Sequence, residues 1–419
     1  MHVGIFLEAV SEYAGGAHTF ESAVLAGVHD STLHGRHRFT LCVPHGKTSA
    51  VKAFASEMVE IAELPETGCL PVVLKPFPAR VAIRVAKRLG LTSPLPKNEP
   101  LQSTLTDVFR RRAIDVAWMI YPHAPVVDIP YVATVWDLQH RLQPVFPEVT
   151  SSGWNWEQRE RHYSRYLPRA SAIITGTESG KSEIATFYNV PNERIAVIPF
   201  PTPAFPRDVP ESRESCVAYL KGRYQLPESY LLYPAQFWPH KNHVGALHAL
   251  SELRERHAVN CSLVCVGSDQ GNLEFVKQEA LRLGVSDLVH FCGYIPRVDL
   301  ACLYKAAEAL LFPSFFGPDN LPPLEAFSLG CPVIAADVPG AREQLGDAAI
   351  LVNPTDSHGM AAAILNMLED RGTRLEMIAR GRELTARQSP RQYVQAVMSV
   401  IDRLEPYRRT WSISGYTHA

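Results

Sequence analysis

The feature that most constrains this chain is a recurring unit, a short apolar run rich in β-branched residues followed by a helical stretch. HVGIFL, FTLCV, DVAWMIY, PYVATVW, SAIITG and RIAVIPF are the runs of the first half. They do not alternate with polar residues, so each strand is buried on both faces, the condition of a parallel sheet covered by helices. The pattern stops after Phe200 at PTPAFPRDVPES, whose density of proline and lack of apolar period mark a linker or hinge. It restarts with YLLYPAQF, CSLVCVG, LVHFCGYI, EALLFPS, PVIAADV and AILVNP. The expected fold class is α/β, with two Rossmann-like, doubly wound parallel-sheet domains at 1–205 and 206–389. A helical tail of about 390–419 is placed to pack back on the first domain.

Length agrees, since 419 residues exceed the roughly 250–300 at which a single core stops growing. With 46% hydrophobic and 20% charged residues, the composition is that of an ordinary globular protein and excludes disordered and fibrous classes. A net charge of −2 gives no general attraction for nucleic acid, and none is expected as a partner. No apolar run reaches the length of about eighteen residues that a spanning helix needs. MHVGIFLEAVSEYAGG has no basic leader and meets Glu8 early, so it reads as a first strand rather than a signal peptide, and the cytoplasm is the expected location. Cys42, Cys69, Cys216, Cys261, Cys265, Cys292, Cys302 and Cys331 lack CxxC spacing and nearby histidines. They are expected to be small buried hydrophobes in a reducing compartment, with no metal site.

Two such domains in tandem turn the carboxyl ends of their strands toward a shared cleft, where ligands of open parallel sheets bind. Gly15 and Gly16 follow the first strand and precede a helix, so bare N–H groups there can meet an anion. A tight turn is the plainer use of such a pair. The GxGxxG fingerprint is missing, which counts against a nicotinamide enzyme. Lys241, in PAQFWPHKNH, comes directly after the first strand of the second domain. An ammonium there can meet a diphosphate, although a solvated loop lysine is the commoner case. The neighbouring His240 and His243 fit no usual metal pair. The densest stretch runs from Phe312 to Pro354, where a strand ends in a Gly-Pro loop, Pro322 or Pro323 starts a helix and Glu325 falls in its first turn. Amides at that helix start suit a phosphate or a sugar hydroxyl. Glu325 can accept from two adjacent ribose hydroxyls, or serve as a helix-dipole partner.

The run from Tyr230 to Pro354 holds YLLYPAQFWPHKN, LVHFCGYIPRVDLACLYKAAEALLFPS and NLPPLEAFSLGCPVIAADVPGAREQLGDAAILVNP. It resembles the donor-binding domain of family 4 retaining glycosyltransferases of GT-B fold. In the first half, Gly15 with Gly16, TVWDLQH from Thr134 to His140 and ASAIITGTESGKSEI from Ala170 to Ile184 resemble acceptor-domain segments of that family. The resemblance implies that Lys241 binds the donor diphosphate and Glu325 the nucleotide ribose. It further implies that Asn320 and Leu321 offer backbone amides to phosphate or sugar, that Gly293, Tyr294 and Ile295 flank the base, and that Gly15 and Gly16 approach the donor from the other domain. Three positions depart from the family pattern. Gly317 stands where a glutamate eight positions before Glu325 is usual, and Asp319 is the acid expected to replace it. Gln236, in the donor site, replaces an arginine that commonly accompanies the lysine. Trp136 replaces a histidine, with Asp137 and His140 nearby to orient the acceptor or act as base.

Asp137, His140, Lys241, Asp319 and Glu325 are thus the residues expected to carry the chemistry. Departure of a nucleotide diphosphate builds negative charge on phosphate, which Lys241 and the helix amides can meet. No D-x-D triplet for magnesium occurs, so a retaining, metal-independent hexosyltransferase without a cofactor is expected. The donor is expected to be a GDP- or UDP-linked hexose or deoxyhexose and the acceptor a glycan or lipid-linked saccharide. The FGPxNLPPLEA stretch is similar to that of proteins of bacterial cell-surface polysaccharide and O-antigen synthesis. Arg80, Arg84, Lys87 and Arg88, at helical spacing between Pro76 and Gly90, suit peripheral contact with an anionic membrane face, or an ordinary solvated helix face. A sugar-nucleotide epimerase and a catalytically silent nucleotide-sugar binding protein share the same cleft and are the alternatives.

Overall fold

The computed structural model describes residues 1–8, 15–32, 35–65, 99–151 and 154–411. The basic segment from Pro76 to Gly90, with Arg80, Arg84, Lys87 and Arg88, lies outside the described residues, as does Cys69. The first sheet contains β1 (His2–Phe6), β2 (Arg38–Val43), β3 (Val59–Glu63), β4 (Val116–Met119), β5 (Tyr131–Thr134), β6 (Ala172–Thr175) and β7 (Ile195–Val197). Its order is β3-β2-β1-β4-β5-β6-β7. The second contains β8 (Tyr230–Pro234), β9 (Ser262–Val266), β10 (Val289–Gly293), β11 (Ala309–Phe312), β12 (Val333–Ala336) and β13 (Ala349–Val352), in the order β10-β9-β8-β11-β12-β13. Every pairing in both sheets is parallel. This is what unalternated strands demand, because helices must cover both faces. Strand order reverses beside β1 in one sheet and beside β8 in the other, and a crevice opens at such a reversal. The loops that follow β1 and β8 therefore carry Gly15 and Lys241 to the places where a ligand would sit.

Each sheet has its own core. Trp118, Phe109, Ile5 and Val132 lie in the first, and Tyr233, Phe312, Leu263 and Phe327 in the second. The helix Pro390–Asp402 returns to the first core, to which it gives Tyr393, Val394, Val397 and Ile401. It starts cleanly, with Pro390 in the first turn and a reciprocal capping box between Ser389 and Gln392. Burial of Val394, Val397 and Ile401 stabilises the contact by roughly 1.5–3 kcal/mol per side chain. The helix lies against Gly16–Thr32, and a Cβ at Gly27 would stand 2.2 Å from the Pro390 carbonyl oxygen. The chain thus passes between the two cores twice, near Thr202 and near Gln388. The Thr202 N–H donates to the Gln388 carbonyl at 2.7 Å, joining the two crossings. Among the described residues no helix is long and apolar enough to cross a membrane. Cys42, Cys216, Cys261, Cys265, Cys302 and Cys331 are buried with free thiols, and Cys292 is partly buried.

Candidate functional site

Between the two cores lies a cleft of about 730 Å³. Of the residues singled out from the sequence, Gly15, Gly16, Asp137, Gln236, Lys241, Tyr294, Ile295, Asp319, Asn320, Leu321 and Glu325 all line it. His140 and Gly293 do not. Gly293 ends β10 one residue before Tyr294, and its carbonyl is taken by the Gly267 N–H at 2.8 Å. His140 is fully buried behind the wall, where its Nε2 lies 3.0 Å from the Tyr188 hydroxyl and its ring stacks on Tyr163. Burial, with the charge of Arg159, pulls its pKa down to about 4. A neutral imidazole with no access to the cleft does not reach an acceptor, so of the pair in TVWDLQH only Asp137 faces the ligand space. Asp137 accepts from the Gln139 N–H at 3.0 Å and lies 3.8 Å from Arg159, which also lines the cleft.

Lys241 stands in a single 3-10 turn after β8, with its carbonyl held by the Tyr233 hydroxyl. Its Nζ lies 5.3 Å from the centre of the Phe312 ring, and among the described residues it makes no salt bridge. Burial pulls the ammonium pKa down to about 8, against the opposing charges of Asp137 and Glu148. A partly shielded cation that makes no salt bridge among the described residues, near the mouth of a strand, is a receptor for an anion. Gln236 is tied between Trp238 Nε1 and Ser268 Oγ, each at 3.1 Å. Its amide lies 3.9 Å from the point where a Cβ on Gly15 would be, so the two domains face each other there across a narrow gap. Gly15 has φ +64°, which favours glycine, while a Cβ on Gly16 would meet nothing within 4 Å.

The helix Leu321–Leu329 provides the opposite wall. Pro322 and Pro323 lie in its first turn and Gly330, φ +74°, ends it. The prolines remove two N–H groups, so few amides remain to meet a phosphate. Asn320 is a correction to the sequence reading, because its N–H already donates to Gln344 Oε1 at 3.1 Å while Gln344 Nε2 returns to its carbonyl at 2.9 Å. Leu321 retains its amide. Gly317 has φ +127°, and a Cβ there would fall 2.3 Å from Asn320 Oδ1, so this loop is shaped for glycine where the family pattern has glutamate. Asp319 does line the cleft, yet its carboxyl is pressed on Gly176 of the first domain, where a Cβ would lie 2.1 Å from Oδ1. Burial, with the charge of Glu343, pushes that carboxyl up to about 8, and its Oδ2 is buried without a partner.

Glu325 is 5% exposed, and both carboxylate oxygens are held. Arg297 Nη1 donates to Oε1 at 2.6 Å and the Tyr304 hydroxyl to Oε2 at 2.9 Å. Neither partner was singled out from the sequence. The one signal was an arginine at the first position of a helix, where the dipole disfavours a cation. Three further contacts hold the domains across the cleft. His240 gives its backbone N–H and its Nδ1 to Glu148 Oε1, at 3.1 and 2.5 Å. Burial, aided by the Lys241 charge, lowers the His240 pKa. Burial works to raise Glu148, but the His240 bonds prevail and hold it below the ordinary range, so an ionised carboxylate meets a neutral imidazole. Glu343 receives the Glu178 N–H at 2.6 Å, the Ser179 N–H at 3.1 Å and the Ser179 hydroxyl at 2.7 Å, capping the first-domain helix Glu178–Tyr188 from the second domain. Gln143 Nε2 donates to the Phe315 carbonyl at 2.8 Å.

Residues 222–384 match the family described as Glycosyl transferases group 1. O-antigen chain mannosyltransferase B of Escherichia coli is 32% identical over 224 residues, 53% of this chain and 58% of that protein. The chain thus spans little more than half the length of that relative. Anabaena Alr3699/HepE in complex with UDP and glucose shares 17% identity and a TM-score of 0.67 over 97% of this chain and 100% of that one. WaaG, a glycosyltransferase involved in lipopolysaccharide biosynthesis, shares 18% identity and a TM-score of 0.63 over 95% and 98%. At these identities the likeness is one of fold, and it bears out the GT-B arrangement of two Rossmann-like domains. The family match covers the segment from Tyr230 to Pro354, so the resemblance read there stands.

Proposed function

We propose that this chain is a glycosyltransferase of the glycosyl transferases group 1 family that moves a hexose from a GDP- or UDP-linked donor to a glycan or lipid-linked saccharide. The curated relative's activity makes mannose and O-antigen assembly the first sugar and process to test. The observation that carries the reading is Lys241, partly shielded and without a salt bridge among the described residues, in one cleft with the Leu321 amide and the Glu325 carboxylate, and with Gly15 and Gly16 opposite. A nucleotide sugar offers matching groups, a diphosphate for the cation and amide and a ribose diol for the carboxylate.

The proposed transfer is retaining and metal-independent. As the sugar–phosphate bond breaks, charge grows on the diphosphate and the Lys241 ammonium meets it in a poorly hydrated site, where such an interaction is strongest. A donor phosphate oxygen takes the acceptor proton, and the acceptor attacks on the face the diphosphate leaves. Asp137, on the first-domain wall, orients the acceptor. Peripheral contact with an anionic membrane through Arg80, Arg84, Lys87 and Arg88 belongs to the same reading, and unaltered liposome binding after their neutralisation would remove it.

The test is thermal stabilisation by UDP-, GDP-, ADP- and dTDP-sugars with chelator present, followed by transfer of labelled sugar. Stabilisation by one nucleotide class, with product of unchanged anomeric configuration, is the expected result. No shift with any donor overturns the reading.

A further inference from the structure

We infer that Arg297 is a positioning residue for the donor ribose, fixing the Glu325 carboxylate as a paired acceptor and balancing its charge beside the diphosphate; this rests on the donor-site reading above. Arg297 opens the helix Arg297–Ala306, at the positive end of the helix dipole, where a cation is unfavourable. Its side chain leaves the helix and makes three contacts. Nη1 reaches Glu325 Oε1 at 2.6 Å, Nη2 lies 3.5 Å from the Ala204 carbonyl, and the guanidinium stands 4.1 Å from the centre of the Phe205 ring. Ala204 and Phe205 belong to the first crossing between the domains, and both line the cleft with Arg297 and Glu325.

Two turns further along the same helix, Tyr304 holds the other carboxylate oxygen. The helix therefore sets the plane of the carboxylate with one charged and one neutral donor. Each oxygen keeps a further lone pair, so the carboxylate can still accept one hydroxyl on each side, as two adjacent ribose hydroxyls require. A nearly buried carboxylate persists ionised only with a charged partner. Without the guanidinium, the same carboxylate keeps only the Tyr304 hydroxyl as a fixed partner and is free to turn away from an incoming diphosphate, and it would no longer accept two hydroxyls. Arg297 thus allows an acid to read the sugar of the nucleotide within reach of a polyanion. The stack on Phe205 holds the guanidinium in place through the flat face that only arginine offers.

The experiment is calorimetric titration with UDP, GDP and their 2′-deoxy analogues, on the wild type and on Arg297→Met, Arg297→Gln and Glu325→Gln, with circular dichroism confirming each fold. The wild type should prefer the ribonucleotide by roughly tenfold or more, the worth of one hydrogen bond to a charged group. Arg297→Met should weaken binding and bring the ratio of the two affinities close to one, as should Glu325→Gln. Arg297→Gln, which keeps donors without charge, should fall between them and serves if Arg297→Met fails to fold. A ratio unchanged from wild type in the folded Arg297 variants overturns the inference, even if overall affinity falls, because arginine would then act only as bulk charge. Absence of binding by the wild type overturns the donor-site reading itself.

Discussion

At the residue scale the proposed diphosphate contact turns on Lys241. A hydrogen bond to a charged group contributes roughly 1.5–3 kcal/mol, so Lys241→Ala should weaken donor binding by roughly ten- to a hundredfold, measured by calorimetry with a nucleotide sugar. The direction of the pH dependence follows from the burial that lowers this ammonium to about 8. The charged form that meets the diphosphate is present below that value and is lost as pH rises through it. The contribution of Lys241 to affinity, read as the ratio of wild type to Lys241→Ala, should therefore be flat from pH 6 to 7.5 and fall above pH 8 by up to tenfold per unit. A ratio that stays flat up to pH 10 would show that Lys241 does not carry the diphosphate. Sequence spacing put Lys241 at the strand end correctly, because position after β8 is a local property. It could not show that the Asn320 amide is engaged by Gln344, or that His140 turns inward to Tyr188 while Asp137 turns outward, because those partners lie 24 and 48 residues away along the chain.

At the scale of elements, strands and helix starts were the readable part. Runs without alternation gave buried parallel strands, and Pro322 marked the start of the helix that carries Glu325, through its fixed φ. The reach of one element across another was less readable, as the contact of Pro390–Asp402 with Gly16–Thr32 illustrates. Gly27 is what permits it. A Cβ there would meet backbone, with the Pro390 oxygen at 2.2 Å and its carbon at 2.7 Å, and backbone cannot swing aside as a side chain can. Gly27→Ala should therefore destabilise the protein by about 1–3 kcal/mol, the usual cost of overpacking. The better helix propensity of alanine offsets at most about 1 kcal/mol. Urea denaturation followed by circular dichroism measures it, and a variant as stable as the wild type would mean that the return helix yields at this point without cost.

At the scale of the whole molecule, the two domains are joined by carboxylates that play opposite parts. Glu343 caps a helix of the other domain with three hydrogen bonds, which favour closure. Asp319 is pressed on Gly176, and there burial and the Glu343 charge raise its pKa to about 8, with the buried Tyr393 hydroxyl also facing it. If the faces part, water reaches Asp319 and its pKa returns to about 4. Between those values the closed arrangement holds one proton more than the open one. Closure is therefore most favoured below about pH 4, weakens by about 1.4 kcal/mol per unit as pH rises through the window, and changes no further once pH exceeds about 8. Small-angle scattering of the ligand-free protein should show the radius of gyration growing from pH 6 to 8 and constant above. Asp319→Asn keeps the packing and removes the charge, so it should stay compact across that range, whereas Glu343→Ala should expand already at pH 6. A wild type whose radius does not respond to pH would mean that Asp319 stays buried throughout. Glu343 and the Glu148–His240 pair would then outweigh the charge of Asp319, and the cleft would admit its donor without opening.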